Sequence, residues 1–305
     1  MTPGGPPRIR TFSVQCRERY GHTVGKIPLD VGVACPNRRL GGCLFCCPAS
    51  FTPHALRRTD SITEQIRRGK HLHLGGRFRQ YFAYFQQETP TALPTQALLA
   101  IIEQVLADPD CLGLILSTRP DAIAADLPPA LSRLVTTKGK HCLIELGLQS
   151  CHDTSLALLN RNHSVADCCE AAKRIRAQPG LELGAHIILG IPGETLADMI
   201  QTIEVACAMG VQALKLHHLQ VIRGTVLHDL YQQGRIPVFE MAEYFEVLLM
   251  LLPKIPAHIT LHRLWATAHP ALLVAPRWYS HAGDLSAQLF KKMAKRDLWQ
   301  GKDCG

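Results

Sequence analysis

KIPLDVGVACPNRRLGGCLFCC, Lys26–Cys47, joins a strand-like apolar run, Lys26–Ala34, to a loop that holds four of the chain's twelve cysteines. Cys35, Cys43 and Cys46 follow the spacing C-x7-C-x2-C, with Cys47 adjoining the last of them. Thiolates are soft ligands that suit zinc or an iron–sulfur cluster. Structural zinc normally takes four protein ligands, often as two separated C-x2-C pairs. No second pair of that kind is present, and Cys168–Cys169 falls in a helical stretch. The plain alternative is cysteine as a small buried hydrophobe. That fits Cys111, Cys142, Cys151 and Cys207 but not a loop of Pro, Arg and Gly, which offers little core to fill. Three thiolates would leave one iron of a four-iron cube without a protein ligand, open to a chelating small molecule.

Outward from this loop the chain alternates strands with helices. Gln80–Phe85, Cys111–Ser117, His141–Leu148, Leu181–Gly190 and Ala213–Gln220 are further strand-like runs, several of them continuously apolar. Such runs are expected of parallel strands buried on both faces. Leu98, Ile101, Ile102 and Val105 recur at i, i+3, i+4 and i+7, which places them on one helical face, and Met199, Ile203 and Cys207 follow the same rule. The strand–helix units recur roughly every 30–40 residues, as right-handed crossovers require. Six strands, each with its helix, predict an α/β fold: a partial (βα)6 parallel barrel with its chemistry at the C-terminal strand ends. Beyond Gln220 the pattern predicts a loop with a short helix, a longer amphipathic helix over residues 237–252, and a last strand or edge segment in residues 258–266.

A hydrophobic content of 47% against 19% charged residues excludes a disordered chain. No apolar run approaches the roughly 20 residues that span a bilayer, and the start lacks the apolar core of a secretory signal. We therefore expect a cytoplasmic protein with reduced thiols and no membrane partner. The Pro/Gly-rich start predicts a flexible arm over residues 1–18, before a core over 19–264 and a C-terminal extension over 265–305. The net charge of +8 comes from dispersed basic residues, so it fits nucleic acid and an ordinary solvated surface equally well.

The cysteine loop after the first strand of a βα-repeat chain, with an aromatic residue before the third cysteine, resembles that of the radical S-adenosylmethionine (SAM) enzymes. STRPD (Ser117–Asp121), ELGLQS (Glu145–Ser150), LLNRNH (Leu158–His163), HIILGIPGET (His186–Thr195) and KLHHLQVIRGT (Lys215–Thr225) extend the resemblance to the radical-SAM domain of the Elongator catalytic subunit. CPNR and YFAYFQ are similar to bacterial Elongator-like proteins of unassigned activity in particular. Cys47 stands where a polar residue is more usual in that group.

The resemblance implies a [4Fe-4S] cluster on Cys35, Cys43 and Cys46, S-adenosyl-L-methionine as co-substrate, and an electron-donor reductase such as flavodoxin or ferredoxin. It implies that Phe45 shields the cluster, that Gln86 meets the methionine ammonium, and that Thr118, Arg119, Glu145 and Gln149 offer polar contacts. Ile188, Gly190 and Pro192 would line the adenine. Each residue also has a local reading: Arg119 pairs with Asp121, and GIPGE opens a helix. Glu145 is harder to dismiss, because a buried carboxylate needs a partner. Of His217 and His218, strand alternation lets only one face the barrel interior. The functional expectations are a radical-SAM enzyme acting on tRNA, one acting on a small molecule or protein, or a non-catalytic zinc-binding RNA-interaction module.

Overall fold

Alternation along each strand divides the side chains of this protein into two sets, and the fold follows from that division. The computed structural model describes residues 7–53, 56–57, 59–278 and 281–304. The strands are β1 (Gly25–Leu29), β2 (Tyr81–Phe85), β3 (Cys111–Thr118), β4 (His141–Gln149), β5 (Leu181–Leu189), β6 (Ala213–His218), β7 (Val221–Ile222), β8 (Thr260–Arg263) and β9 (Leu273–Ala275). The helices are α1 (Phe12–Tyr20), α2 (Ile62–Gly69), α3 (Thr95–Leu106), α4 (Leu127–Thr137), α5 (Asp153–Leu158), α6 (Val165–Arg176), α7 (Leu196–Ala208), α8 (Val226–Gln232), α9 (Met241–Leu251) and α10 (Ala282–Lys295). Among the described residues, seven strands pair in parallel in the order β1-β2-β3-β4-β5-β6-β8, a curled half-barrel. The six expected strands are present, and the 258–266 segment supplies the seventh. β7 and β9 form a separate antiparallel pair that ties the tail to the mouth of the barrel.

One set of alternating residues faces the helices. Ile27, Ala83, Leu114, Leu116, Ile144, Leu146, Leu183, Ile187, Leu214 and Leu261 pack with Leu98, Ile102, Val105, Leu131, Ile175 and Ile203 into the main core. The helical face predicted from Leu98 to Val105 is the buried side of α3. The other set points into the barrel. Its lower layer is apolar: Phe82, Ile115, Leu143 and Ala213 cluster with Cys16, Phe12 and Tyr20 of α1. Phe12 and Tyr20 both meet Phe82 edge-on, at 5.9 and 6.0 Å between ring centroids. Helix α1 therefore plugs the N-terminal end of the barrel.

That plug corrects the expectation of a flexible arm where the structure describes it. Residues 1–6 lie outside the described residues. From there on, Ile9 is only 1% exposed and Thr11 caps α1 through its hydroxyl. Leu261 N–H of β8 donates to Arg10 O (2.7 Å), so the segment covers the open edge of the sheet. The two ends of the chain also clasp each other. Arg8 Nη1 donates to Leu298 O (2.7 Å), Gln300 N–H to Arg8 O (2.9 Å), and Arg10 N–H to Gln300 Oε1 (2.9 Å). The composition of the first dozen residues conceals this, because its apolar anchors are single residues among Pro and Gly.

The first strand is also shorter than Lys26–Ala34. It stops at Leu29 because Gln65 of α2 takes over the backbone of Asp30, accepting from its N–H (2.8 Å) and donating to its carbonyl (3.0 Å). Gly32, at φ 78°, completes the departure from the sheet and delivers the chain to the cysteine loop.

Candidate functional site

At the C-terminal strand ends a cavity of about 260 Å³ opens, lined by Cys35, Cys43, Cys46 and Cys47 on one side and by residues of β2–β6 and β8 on the other. Its size approaches the lower end of ordinary small-molecule sites. All twelve cysteines are free thiols.

The loop is clamped by two segments distant in sequence. Glu88, after β2, accepts from Cys35 N–H (3.1 Å) and pairs with Arg38 (2.9 Å). On the other flank, Leu159–His163 acts as a clasp. Asn160 Nδ2 donates to Leu40 O (3.0 Å) and Gly42 O (2.7 Å), while Leu44 N–H donates to Leu159 O (3.1 Å). Asn160 and Asn162 take left-handed backbone angles, φ 52° and 50°, which asparagine tolerates better than most residues. The buried Asn37 donates to Cys43 Sγ (3.2 Å) and accepts from Asn162 Nδ2 (2.8 Å). Arg161 Nη1 also donates to Cys43 Sγ (3.3 Å), and its Nη2 donates to Gly147 O (3.0 Å). A Cβ on Gly147 would stand 2.8 Å from that Nη2, so only glycine leaves room for the guanidinium. Asn37 and Arg161 were not among the sequence-derived site residues. LLNRNH carried the signal, but not which atom it would reach.

The donor set fits a soft metal group. It consists of three thiols on one loop with a cationic N–H and an amide aimed at one sulfur, which favours thiolate and tunes a bound cluster. Burial, reinforced by the neighbouring Cys43, pushes the Cys46 thiol up to about 12. A thiol in that setting becomes thiolate only with a cation beside it. Among the described residues no three His, Cys, Asp or Glu side chains converge on a single ion. A cube asks for no such convergence, since each thiolate would meet a different iron.

Six of the nine expected SAM contacts line this cavity: Phe45, Gln86, Thr118, Arg119, Gln149 and Ile188. Arg119 binds Asp121 through two hydrogen bonds (3.0 and 2.9 Å), as its local reading predicts, and also donates to Arg161 O (2.6 Å). Its Nη1 is buried without a partner, leaving one donor unspent beside the cavity. Thr118 Oγ1 shares a hydrogen bond with Thr91 (2.5 Å). Gly190 and Pro192 are not in the lining. At Gly190 (φ 83°) a Cβ would lie 2.6 Å from the Phe239 ring, so this glycine serves the packing of the tail on β5.

Glu145 is also outside the lining, beneath the floor and 2% exposed. Its Oε2 accepts from Ser117 Oγ (2.6 Å) and Lys215 Nζ (2.6 Å) and bonds His186 Nε2 (3.0 Å), while Oε1 bonds His262 Nδ1 (3.3 Å). Burial acts to raise this carboxyl, and the Lys215 ammonium overrides it, so the group is held well below its ordinary value. Lys215 also donates to Tyr84 Oη. Strands β2 to β6 and β8 thus each give one side chain to a polar middle layer between the apolar plug and the cavity. Both histidines of the pair line the cavity: His217 stacks at 5.6 Å on His186, and His218 packs at 4.0 Å on Trp278.

The buried imidazoles set a pH dependence. Burial pushes His141 down to about 4, against the pull of Glu182, and pushes His163 down to about 4 with help from Arg161. Unfolded, both would titrate near 6.5, so below that value the unfolded chain binds more protons than the folded one. Stability is complete above pH 6.5 and falls as the pH drops towards 4, by up to about 1.4 kcal/mol per pH unit for each such imidazole. Urea midpoints between pH 7.5 and 5 should fall steeply, and less so in a His141→Gln variant. Midpoints that stay level over that range would refute this account.

Among the described residues no helix is long and apolar enough to cross a membrane. A family model described as Radical SAM superfamily matches residues 29–206, and one described as Radical_SAM C-terminal domain matches residues 211–295. Protein YhcC of Escherichia coli (strain K12) is 34% identical over 277 residues, 88% of this chain and 87% of that one. A tRNA uridine(34) acetyltransferase of Methanocaldococcus infernus is 26% identical over 191 residues, 62% of this chain but 34% of that protein. Among solved structures, the archaeal Methanocaldococcus infernus Elp3 with an N-terminal deletion superposes with a TM-score of 0.68 at 18% identity, over 91% of this chain and 64% of that one, a likeness of fold. The half-barrel, the thiol-lined mouth and a superfamily match over more than half the sequence agree, and the chain belongs to the radical SAM superfamily of enzymes.

Proposed function

We propose that Cys35, Cys43 and Cys46 hold a [4Fe-4S] cluster, that SAM binds in the cavity beside it, and that the substrate is tRNA. The observation that carries the reading is the joint placement of the three thiols and six expected SAM contacts around one cavity at the strand ends. When bound, the cluster and SAM together supply one-electron cleavage of the sulfonium carbon–sulfur bond, giving methionine and a 5′-deoxyadenosyl radical that takes hydrogen from a substrate.

The chain's own residues bind, orient and shield. Asn37 and Arg161 direct N–H groups at Cys43 Sγ. Phe45 and Ile188 give the cavity apolar walls. Gln86, Thr118 and Gln149 supply polar contacts, and the unpartnered Nη1 of Arg119 suits a carboxylate. Helix α1 keeps water from entering through the lower end. Flavodoxin or ferredoxin would bring the electron, and the exposed Arg39 and Leu40 on the cysteine loop offer an acidic partner a landing point.

Support for tRNA is the tRNA-acting relative, with which a net charge of +8 is compatible. The test is anaerobic reconstitution with iron and sulfide, then measurement of 5′-deoxyadenosine with and without total tRNA. Brown protein that cleaves SAM supports the cluster reading, whereas colourless protein holding zinc refutes it. For tRNA, binding should weaken steeply with salt, by about 10³–10⁵ between 50 and 200 mM if 6–10 phosphates are contacted. Weak binding that salt barely alters would point to a small-molecule or protein substrate.

A further inference from the structure

Arg263 ends β8 and lines the cavity, yet its guanidinium has no hydrogen-bond or ion-pair partner among the described residues. The other two arginines of the lining, Arg119 and Arg161, are both bonded to protein. Lys215, opposite Arg263 in the β6–β8 register, is committed to Glu145 (2.6 Å). Glu145 has no further capacity, because Ser117, His186 and His262 take what Lys215 leaves. The one carboxylate in the lining, Glu88, is tied to Arg38 at the loop. The floor therefore gathers Lys26, Lys215 and Arg263 around a single acid. The crowding shows in Lys26, which burial and the facing Lys215 ammonium push down to about 7.

Beside Arg263 stands His217. Burial, and next the Arg263 charge, hold its imidazole well below the ordinary value, so the ring is neutral. Its Nε2 is buried without a partner. A neutral ring with Nδ1 as acceptor presents Nε2–H as a donor. An unpartnered guanidinium beside an imidazole nitrogen with no partner, in a field of excess positive charge, lacks an acceptor with negative charge. A guanidinium fork is shaped for the paired oxygens of a carboxylate or phosphate.

We propose that Arg263 and His217 form a subsite at the cavity floor for an anionic oxygen group, carboxylate or phosphate, carried by the substrate. This rests on the radical-SAM reading only in calling the occupant the substrate. An unpaired cation next to two lysines is unfavourable for folding, and groups that lower stability in this way are found at sites kept for function.

Phenylglyoxal labelling of the purified protein, mapped by mass spectrometry, reads Arg263 directly and needs no cluster. Arg263 should label readily in a buffer free of oxyanions. Inorganic phosphate or acetate should slow labelling by a factor of 1 + [anion]/Kd, about tenfold at ten times Kd. Protection by phosphate alone or acetate alone assigns the group, and protection by both supports the general site. Labelling that neither anion slows overturns the proposal, as does full protection by SAM alone, which would give Arg263 to SAM. An Arg263→Gln variant should melt no lower than wild type without anions and lose the anion-induced rise in Tm, part of which Arg263→Lys should restore. A lower Tm for Arg263→Gln without anions would make the residue structural and defeat the idea. Because labelling is indifferent to iron, its failure and that of the cluster reading are separate events.

Discussion

Cys43→Ala protein, reconstituted anaerobically with iron and sulfide, will hold no stable cluster and yield no 5′-deoxyadenosine above background. Cys35→Ala and Cys46→Ala will behave alike, while Cys47→Ala will retain both iron and cleavage. All four thiols line the same cavity, so position alone does not separate them. The surroundings do. Cys43 receives N–H groups from Asn37 and Arg161, and Cys35 is fixed through its backbone by Glu88. Cys47 instead opens a short turn in which Ser50 bonds its carbonyl (2.7 Å). The support should be measurable in its own right. Arg161→Gln, which leaves the sulfur but removes the cationic donor, should lower iron affinity or cleavage by about 10–100-fold. Iron and sulfide analysis with chromatographic detection of 5′-deoxyadenosine decides the matter. A brown, cleaving Cys43→Ala protein would overthrow the ligand assignment.

The second large effect is on folding. Glu145→Gln should destabilise the protein by about 3–5 kcal/mol, because it leaves the Lys215 ammonium, 3% exposed at its side chain, without its counterion. The loss should appear as a lower urea midpoint at unchanged m-value. Replacing the pair together, Glu145→Leu with Lys215→Met, should restore much of it, since neither charge is then stranded. A Glu145→Gln protein within about 0.5 kcal/mol of wild type, the range of ordinary surface changes, would contradict the structural role.

Glu145 also shows what the sequence can and cannot say. An acid inside an apolar strand announces that a partner exists, and the partner's identity depends on sheet order. Lys215 is 70 residues away and two strands over, and it meets Glu145 because alternation turns both inward at one height of the barrel. The strands themselves were legible, since each is a run of apolar residues long enough to be buried on both faces. That Cys35, Cys43 and Cys46 would stand together at a strand end was legible from spacing. The clasp at Asn160–His163 was visible only as a motif, because the sulfur it meets is about 120 residues upstream. Arg263 left no mark in the sequence, where an arginine at a strand end is ordinary, and His217 was visible only as one of a pair. What distinguishes them is the partner each lacks, and that is a property of three-dimensional neighbours.

The clasp between residues 8–10 and 298–300 has a consequence for how the protein is made. Its hydrogen bonds join positions 290 residues apart, and the strand whose edge Arg10 covers is the last to join the barrel sheet. A ribosome therefore releases the plug helix well before its partner segment, and must add the 290 residues between them before that helix can be locked in place. Until then the nascent sheet has an uncovered margin, and contacts of such long span close slowly. Chaperone dependence during synthesis should exceed what the finished molecule's stability implies.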